Sequence, residues 1–197
     1  DTFGDPSEDN FDDGMEPGVY TGVRPVASYG SSVCGRSTVS DAAKKYESMG
    51  YRVVGGINGD FYDTTTGYPL GILISDGELL SGSSEYYAVG FYPDGSAVMG
   101  SPKLSIVASS YSGSVKLASL NKPRVENAGV TMLTCDYRDD HTTGSSVASD
   151  GVNVLATIIG GRASIGESLL LQVTEVAEDA QTRTLAEGQV LLTGSAG

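Results

Sequence analysis

The alternation of apolar and polar positions changes period once along this chain. From about residue 38 to 49 it is helical: Val39, Ala42, Ala43, Tyr46 and Met49 recur at three- and four-residue steps, with Lys44 and Lys45 on the outer side. Thr38 offers an N-cap oxygen, Asp41 stands three residues on as in a capping box, and Gly50 suits a helix stop. Beyond Gly50 the period shortens. Apolar, β-branched runs at 51–57, 70–75, 78–80, 86–92, 96–99, 103–108, 115–120, 130–136, 152–159, 168–177 and 189–193 predict strands. Asp76-Gly77 predicts a tight hairpin turn, and Pro93-Asp94-Gly95 a second. These elements predict an α+β fold: a strand-rich, mixed but mostly antiparallel sheet with one helix packed on it.

Residues 1–18, DTFGDPSEDNFDDGMEPG, lack such periodicity and read as an acidic, loosely held arm before a domain over 19–197. The DNFDDG segment does not make a calcium loop. With Asp9 as its first position, Phe11 falls where a ligand belongs and Tyr20 where the bidentate Glu belongs. The 197 residues suffice for a hydrophobic core, and the net charge of −13 disfavours nucleic acid and anionic lipid as partners. No apolar run reaches the roughly 18 residues of a membrane span. Cys34 and Cys135 form no metal motif, and read either as one long-loop disulfide or as two buried thiols. His141 is the only histidine, so histidine triads and His-rich zinc sites are disfavoured. Chemistry falls to carboxylates, Arg, Lys, Tyr and backbone groups.

The densest group of such residues is VVGGINGDFYDTTTGYPLGILISDGEL, residues 53–79. An expected strand ends at Ile57, and Asn58-Gly59-Asp60 leaves it with polar groups on either side of a glycine. Phe61, Tyr62 and Tyr68 can anchor the loop or face a sugar, and Gly71 within a strand suggests a bulge or something packed closely against it. From the residues alone, two readings stay open. One is a tight connection whose Asn and Asp bond their own backbone; the other is a ligand-binding mouth.

NGDFYDTTTGYPLGILISDGEL resembles the signature of the phosphodiester glycosidase family, whose members release sugars from phosphodiester links. The likeness extends back through CGRSTVSDAAKKYESMGYRVVGGINGDFYD and forward to LNKPRVENAGVTMLT, then more weakly to LAEGQVLLTG. Such domains also carry an Asp-Gly-Arg and an Asp-Gly-Gly-Gly-Ser stretch, and neither occurs here. The resemblance therefore implies a partial domain lacking its C-terminal half, from an exported or cell-surface protein. It implies hydrolysis of sugar-1-phosphodiesters, with a phosphate-linked glycan as partner.

Under that resemblance Asp60 and Asn58 are the catalytic candidates, Asp60 as acid/base or sugar anchor and Asn58 orienting it or the substrate. Lys122 and Arg124, spaced stiffly by Pro123, are the phosphate candidates. Tyr62 and Tyr68 would stack on a sugar ring, while Gly71 and Asp63 complete the binding set. Asp76 is explained by its turn. Asn58, Asp60 and Asp63 supply oxygens suited to calcium or magnesium, though too few for a full shell, and no cofactor is required. The competing function is a non-catalytic carbohydrate-binding or cell-surface module, and the third a structural spacer.

Overall fold

The structure, a computed structural model, describes residues 23–82, 86–92, 96–149 and 151–194. The acidic arm and the Pro93-Asp94-Gly95 turn lie outside these residues. The fold is α+β and strand-rich, as the pattern predicts. It has one helix, α1 (Val39–Ser48), and ten strands: β1 (Leu73–Ser75), β2 (Glu78–Ser81), β3 (Ala88–Phe91), β4 (Ala97–Gly100), β5 (Ile106–Ser110), β6 (Gly113–Leu120), β7 (Val130–Thr134), β8 (Val152–Gly161), β9 (Leu169–Ala177) and β10 (Gln189–Gly194). A single 3₁₀ turn, Cys135–Tyr137, follows β7.

Helix α1 begins and ends for the reasons its sequence predicts. Thr38 Oγ1 accepts from Asp41 N at 3.1 Å and donates to Asp41 Oδ2 at 2.7 Å. At the other end Gly50 adopts φ 92°, Tyr51 N bonds Tyr46 O, and Gly50 N bonds Glu47 O. This is a Schellman stop, with the Tyr46 and Tyr51 rings 6.0 Å apart as its apolar contact. No residue of α1 is buried. Its aromatic and cationic contacts run to Tyr51 and to the segment before it, where Lys45 lies over the Tyr29 ring.

The main sheet has strand order β5-β6-β7-β10-β8-β9. All its pairs are antiparallel except β6–β7, which is parallel and joined by residues 121–129. Alternation sorts its side chains onto two faces. Val130, Met132, Val190 and Ala156 point into one cluster, which takes in residues of both edge strands, Ile106 and Ala108 from β5 and Leu169 and Leu171 from β9. The sheet is therefore curled about this cluster. Leu133, Leu191 and Leu155 point the other way, onto Tyr137, Val147 and Leu185. Leu133, Val190 and Leu191 have no exposed surface, so each contributes roughly 2 kcal/mol of burial.

Hairpin β1–β2 turns through Asp76 (φ 49°) and Gly77 (φ 76°), the two left-handed residues of a type I′ turn. It straps one end of the curled sheet. Gly82 exchanges backbone bonds with Leu120, and Leu79 N bonds Ala163 O. Arg162 Nη2 and Ser164 Oγ then bond the carbonyls of Asp76 and Gly77.

One expected strand is absent. Residues 51–57 form no ladder; Ile57 is 90% exposed and Val54 63% exposed. The run is apolar, but Gly55 and Gly56 give it little to pack and no neighbouring strand takes up its backbone groups. Among the described residues no helix is long and apolar enough to cross a membrane.

Candidate functional site

The loop after residue 57 is held by its own main chain. Leu70 N bonds Phe61 O, Tyr62 bridges Pro69, Asp63 N bonds Tyr68 O, and Gly67 N bonds Asp63 O. Asp63 Oδ1 accepts from Thr65 N, Thr66 N and Thr66 Oγ1, which holds its carboxyl below the usual range and commits it to the loop. From outside, Arg36 Nη2 donates to the carbonyls of Thr64 (2.5 Å) and Thr65 (2.9 Å). The loop is thus a braced platform. Phe61, 81% exposed, and Tyr62, 50% exposed, stand on it towards solvent.

Lys122 is the second brace. Buried at the start of the β6–β7 return, its Nζ donates to the carbonyls of Pro69 (2.5 Å), Leu70 (2.7 Å) and Gly71 (2.9 Å). An ammonium has three donors, so none is left for a ligand. Burial pushes its pKa down to about 8, opposed by Asp60 and Cys34. The same ammonium lies 5.9 Å from the Tyr68 ring centroid.

Asp60 joins this cluster from the other side. Burial raises its carboxyl pKa, opposed by the backbone amide of Phe61, the charge of Lys122 and the backbone amide of Gly71. Gly71 stands beside the Asp60 carboxylate at ordinary contact distance. A Cβ placed on Gly71 would lie 3.4 and 3.5 Å from the two carboxylate oxygens and 3.7 Å from Tyr86 Cβ. Asp60, Gly71, Tyr86, Tyr68 and Lys122 therefore form one neighbourhood. Cys34 belongs to it as well, with burial pushing its thiol up to about 11 against the pull of Arg138 and Lys122. At neutral pH it is a thiol, not a nucleophile. Cys34 and Cys135 are both free, packed against the Leu133–Tyr137 cluster.

Beside this neighbourhood opens a cleft of about 610 Å³. Tyr68, Leu70, Tyr86, Lys122 and Pro123 line one part of it, and Lys116, Ser119 and Thr131 from β6 and β7 another. Among the described residues its only charged lining residues are Lys116 and Lys122, in a chain of net charge −13. Lys116 is exposed and presents a free ammonium; Lys122 contributes positive potential without a free N–H.

The candidate residues thus divide. Lys122 and Tyr68 line the cleft, while Asp60 and Gly71 back its wall. Asn58 is exposed and lines neither this cleft nor the cavity under β2, and Tyr62 faces solvent on the platform. Arg124 turns its backbone N to Ser146 Oγ (3.4 Å), which is 3.1 Å from the Tyr137 hydroxyl. Lys116 and Tyr86 were not singled out by the sequence. Lys116 carried only the signal of a polar position between Val115 and Leu117, and Tyr86 that of a ring at a strand's entry. Among the described residues no three His, Cys, Asp or Glu side chains gather as metal ligands. No family model, curated protein or solved structure matches the chain, so the chemistry of this cleft is that of its own residues.

Proposed function

We propose that the cleft binds phosphate-linked sugars and that the protein is a phosphodiester glycosidase of exported glycan metabolism. The observation that carries this reading is the charge of the cleft. Among the described residues, two lysines and two tyrosines line it without a carboxylate, inside a strongly acidic protein. An anionic group is drawn to Lys116, and a pyranose ring lies against Tyr68 or Tyr86. In the reaction the bond between the anomeric carbon and its oxygen breaks, and the phosphate monoester leaves with its charge facing Lys116. Water supplies the new hydroxyl, and its proton passes through solvent to Asp60, which stands behind Gly71 and Tyr86 and not on the cleft lining. Both Asp60 oxygens keep lone pairs beyond the two backbone amides they face. A phosphate leaves readily, so weak general-acid help suffices.

A second reading, a carbohydrate-binding module, is favoured by one specific observation: among the described residues no carboxylate lines the cleft itself, where most glycosidases present a pair. Sugar release from an alkyl sugar-1-phosphodiester separates the two. Asp60→Asn is expected to lower turnover about 100-fold with the fold intact. Near-normal turnover in that variant removes Asp60 from the chemistry. Tight phosphodiester binding without turnover in the unaltered chain assigns the binding module, and Lys116→Ala weakens that binding under either reading.

A further inference from the structure

A second cavity, of about 580 Å³, lies where β2 straps the end of the curled sheet, a volume ordinary for small-molecule sites. Its floor is apolar: Leu79, Leu80, Leu120, Met132 and Leu185. Among the described residues its charged lining is Glu78, Asp136 and Glu187 against one guanidinium, Arg162, whose Nη2 is drawn 2.6 Å to the Asp76 carbonyl. His141 also lines it, with Nδ1 2.8 Å from the Cys135 carbonyl. That carbonyl can only accept, so Nδ1 carries the proton of the neutral ring and Nε2 is left as an acceptor.

This chemistry is selective. An anion entering meets three like charges. A wholly apolar molecule strips water from the carboxylates and gives them nothing in return. A cation with an apolar body satisfies both parts of the lining. We propose that this cavity binds a small amphipathic cation, a primary amine on an aromatic or short alkyl body. The ammonium is drawn to the carboxylate rim that Glu78, Asp136 and Glu187 supply, while the body displaces water from the leucine floor. The site shares no lining residue with the lysine cleft and does not depend on the glycosidase reading.

Phenethylamine, titrated calorimetrically into the whole chain, tests this against 3-phenylpropionate, an acid of similar size and opposite charge. The amine is expected to bind at least about ten-fold more tightly than the acid. Glu78→Gln with Glu187→Gln is expected to weaken amine binding about ten-fold without moving the melting temperature, since both side chains are exposed. Glu187→Lys abolishes it, and Asp60→Asn leaves it unchanged. Equal affinity for the acid, no amine binding at millimolar concentration, or amine affinity indifferent to the Gln pair each overturns the proposal.

Discussion

The two cavities interleave along one stretch of chain, the lysine cleft taking residues 116–119 as well as those after Asn121. Leu120 and Asn121 line the carboxylate-rimmed cavity; Lys122 and Pro123 line the lysine cleft. On the next strand Met132 faces the first and Thr131 the second. Two sites of opposite charge are thus built from alternating positions of the same pair of strands. What differs is how each is braced. Lys122 stitches its cleft to the 69–71 carbonyls by charge, whereas Asn121 stitches the acidic cavity to β2 and β7 by neutral hydrogen bonds. A net charge of −13 therefore says little about either site. Local strand geometry decides which sign each cavity presents.

Removing the shared hinge should have the largest effect. Asn121 is buried at φ 47°, donates to Leu80 O and Thr134 Oγ1, and accepts from Thr134 N. Asn121→Ala is expected to cost about 3 kcal/mol in urea unfolding and to weaken both ligands together. If only one cavity suffers, the two are not braced through this residue.

Lys122→Met should come next, at about 2–3 kcal/mol, because three carbonyls lose their common donor. Here the sites should separate, with phosphate affinity falling and amine affinity surviving. The same residue predicts a pH signature. With a pKa near 8 in the fold against an ordinary 10.5, Lys122 is protonated in more of the unfolded chain than the folded one between those values. Its contribution to stability therefore rises as pH climbs across that window. Phosphate affinity moves the opposite way, falling as the ammonium discharges above pH 8. Titrations of stability and of phosphate binding check both slopes, and Lys122→Met should remove this contribution from each.

The smallest effect is expected at Gly71. A methyl there would touch the Asp60 carboxylate at ordinary contact distance, so Gly71→Ala should change stability by less than about 1 kcal/mol. Turnover should drop if the methyl restricts or desolvates the Asp60 carboxylate it touches. Unchanged turnover with wild-type stability would show that the position of Asp60 is not tuned by this contact.

Elements whose signals are local were legible in the sequence. Thr38, Asp41 and Gly50 place both ends of α1, and Asp76-Gly77 places its hairpin, because caps and turns are decided within four or five residues. Residues 51–57 were misread for the complementary reason. A strand needs a partner, and hydrophobicity alone does not say whether one arrives. The site was partly legible. Lys122, Tyr68, Asp60 and Gly71 do assemble, but Lys122 as a brace with every donor taken. Lys116 and Tyr86 join them only through the pairing of β6 with β7 and the approach of the 86–91 segment, neither of which leaves a motif.

That parallel pairing has a further consequence. Side-by-side strands of the same direction usually require a dozen or more connecting residues, often an α-helix that roofs the sheet. Here residues 121–129 make the return without one, and the lysine cleft stands beside them, bounded by Pro123, Val125, Ala128 and Gly129. Lengthening that link by two or three helical turns would close the opening while leaving every ladder bond in place. The bulk of admissible ligand is accordingly governed by a connector, which can vary independently of the framework.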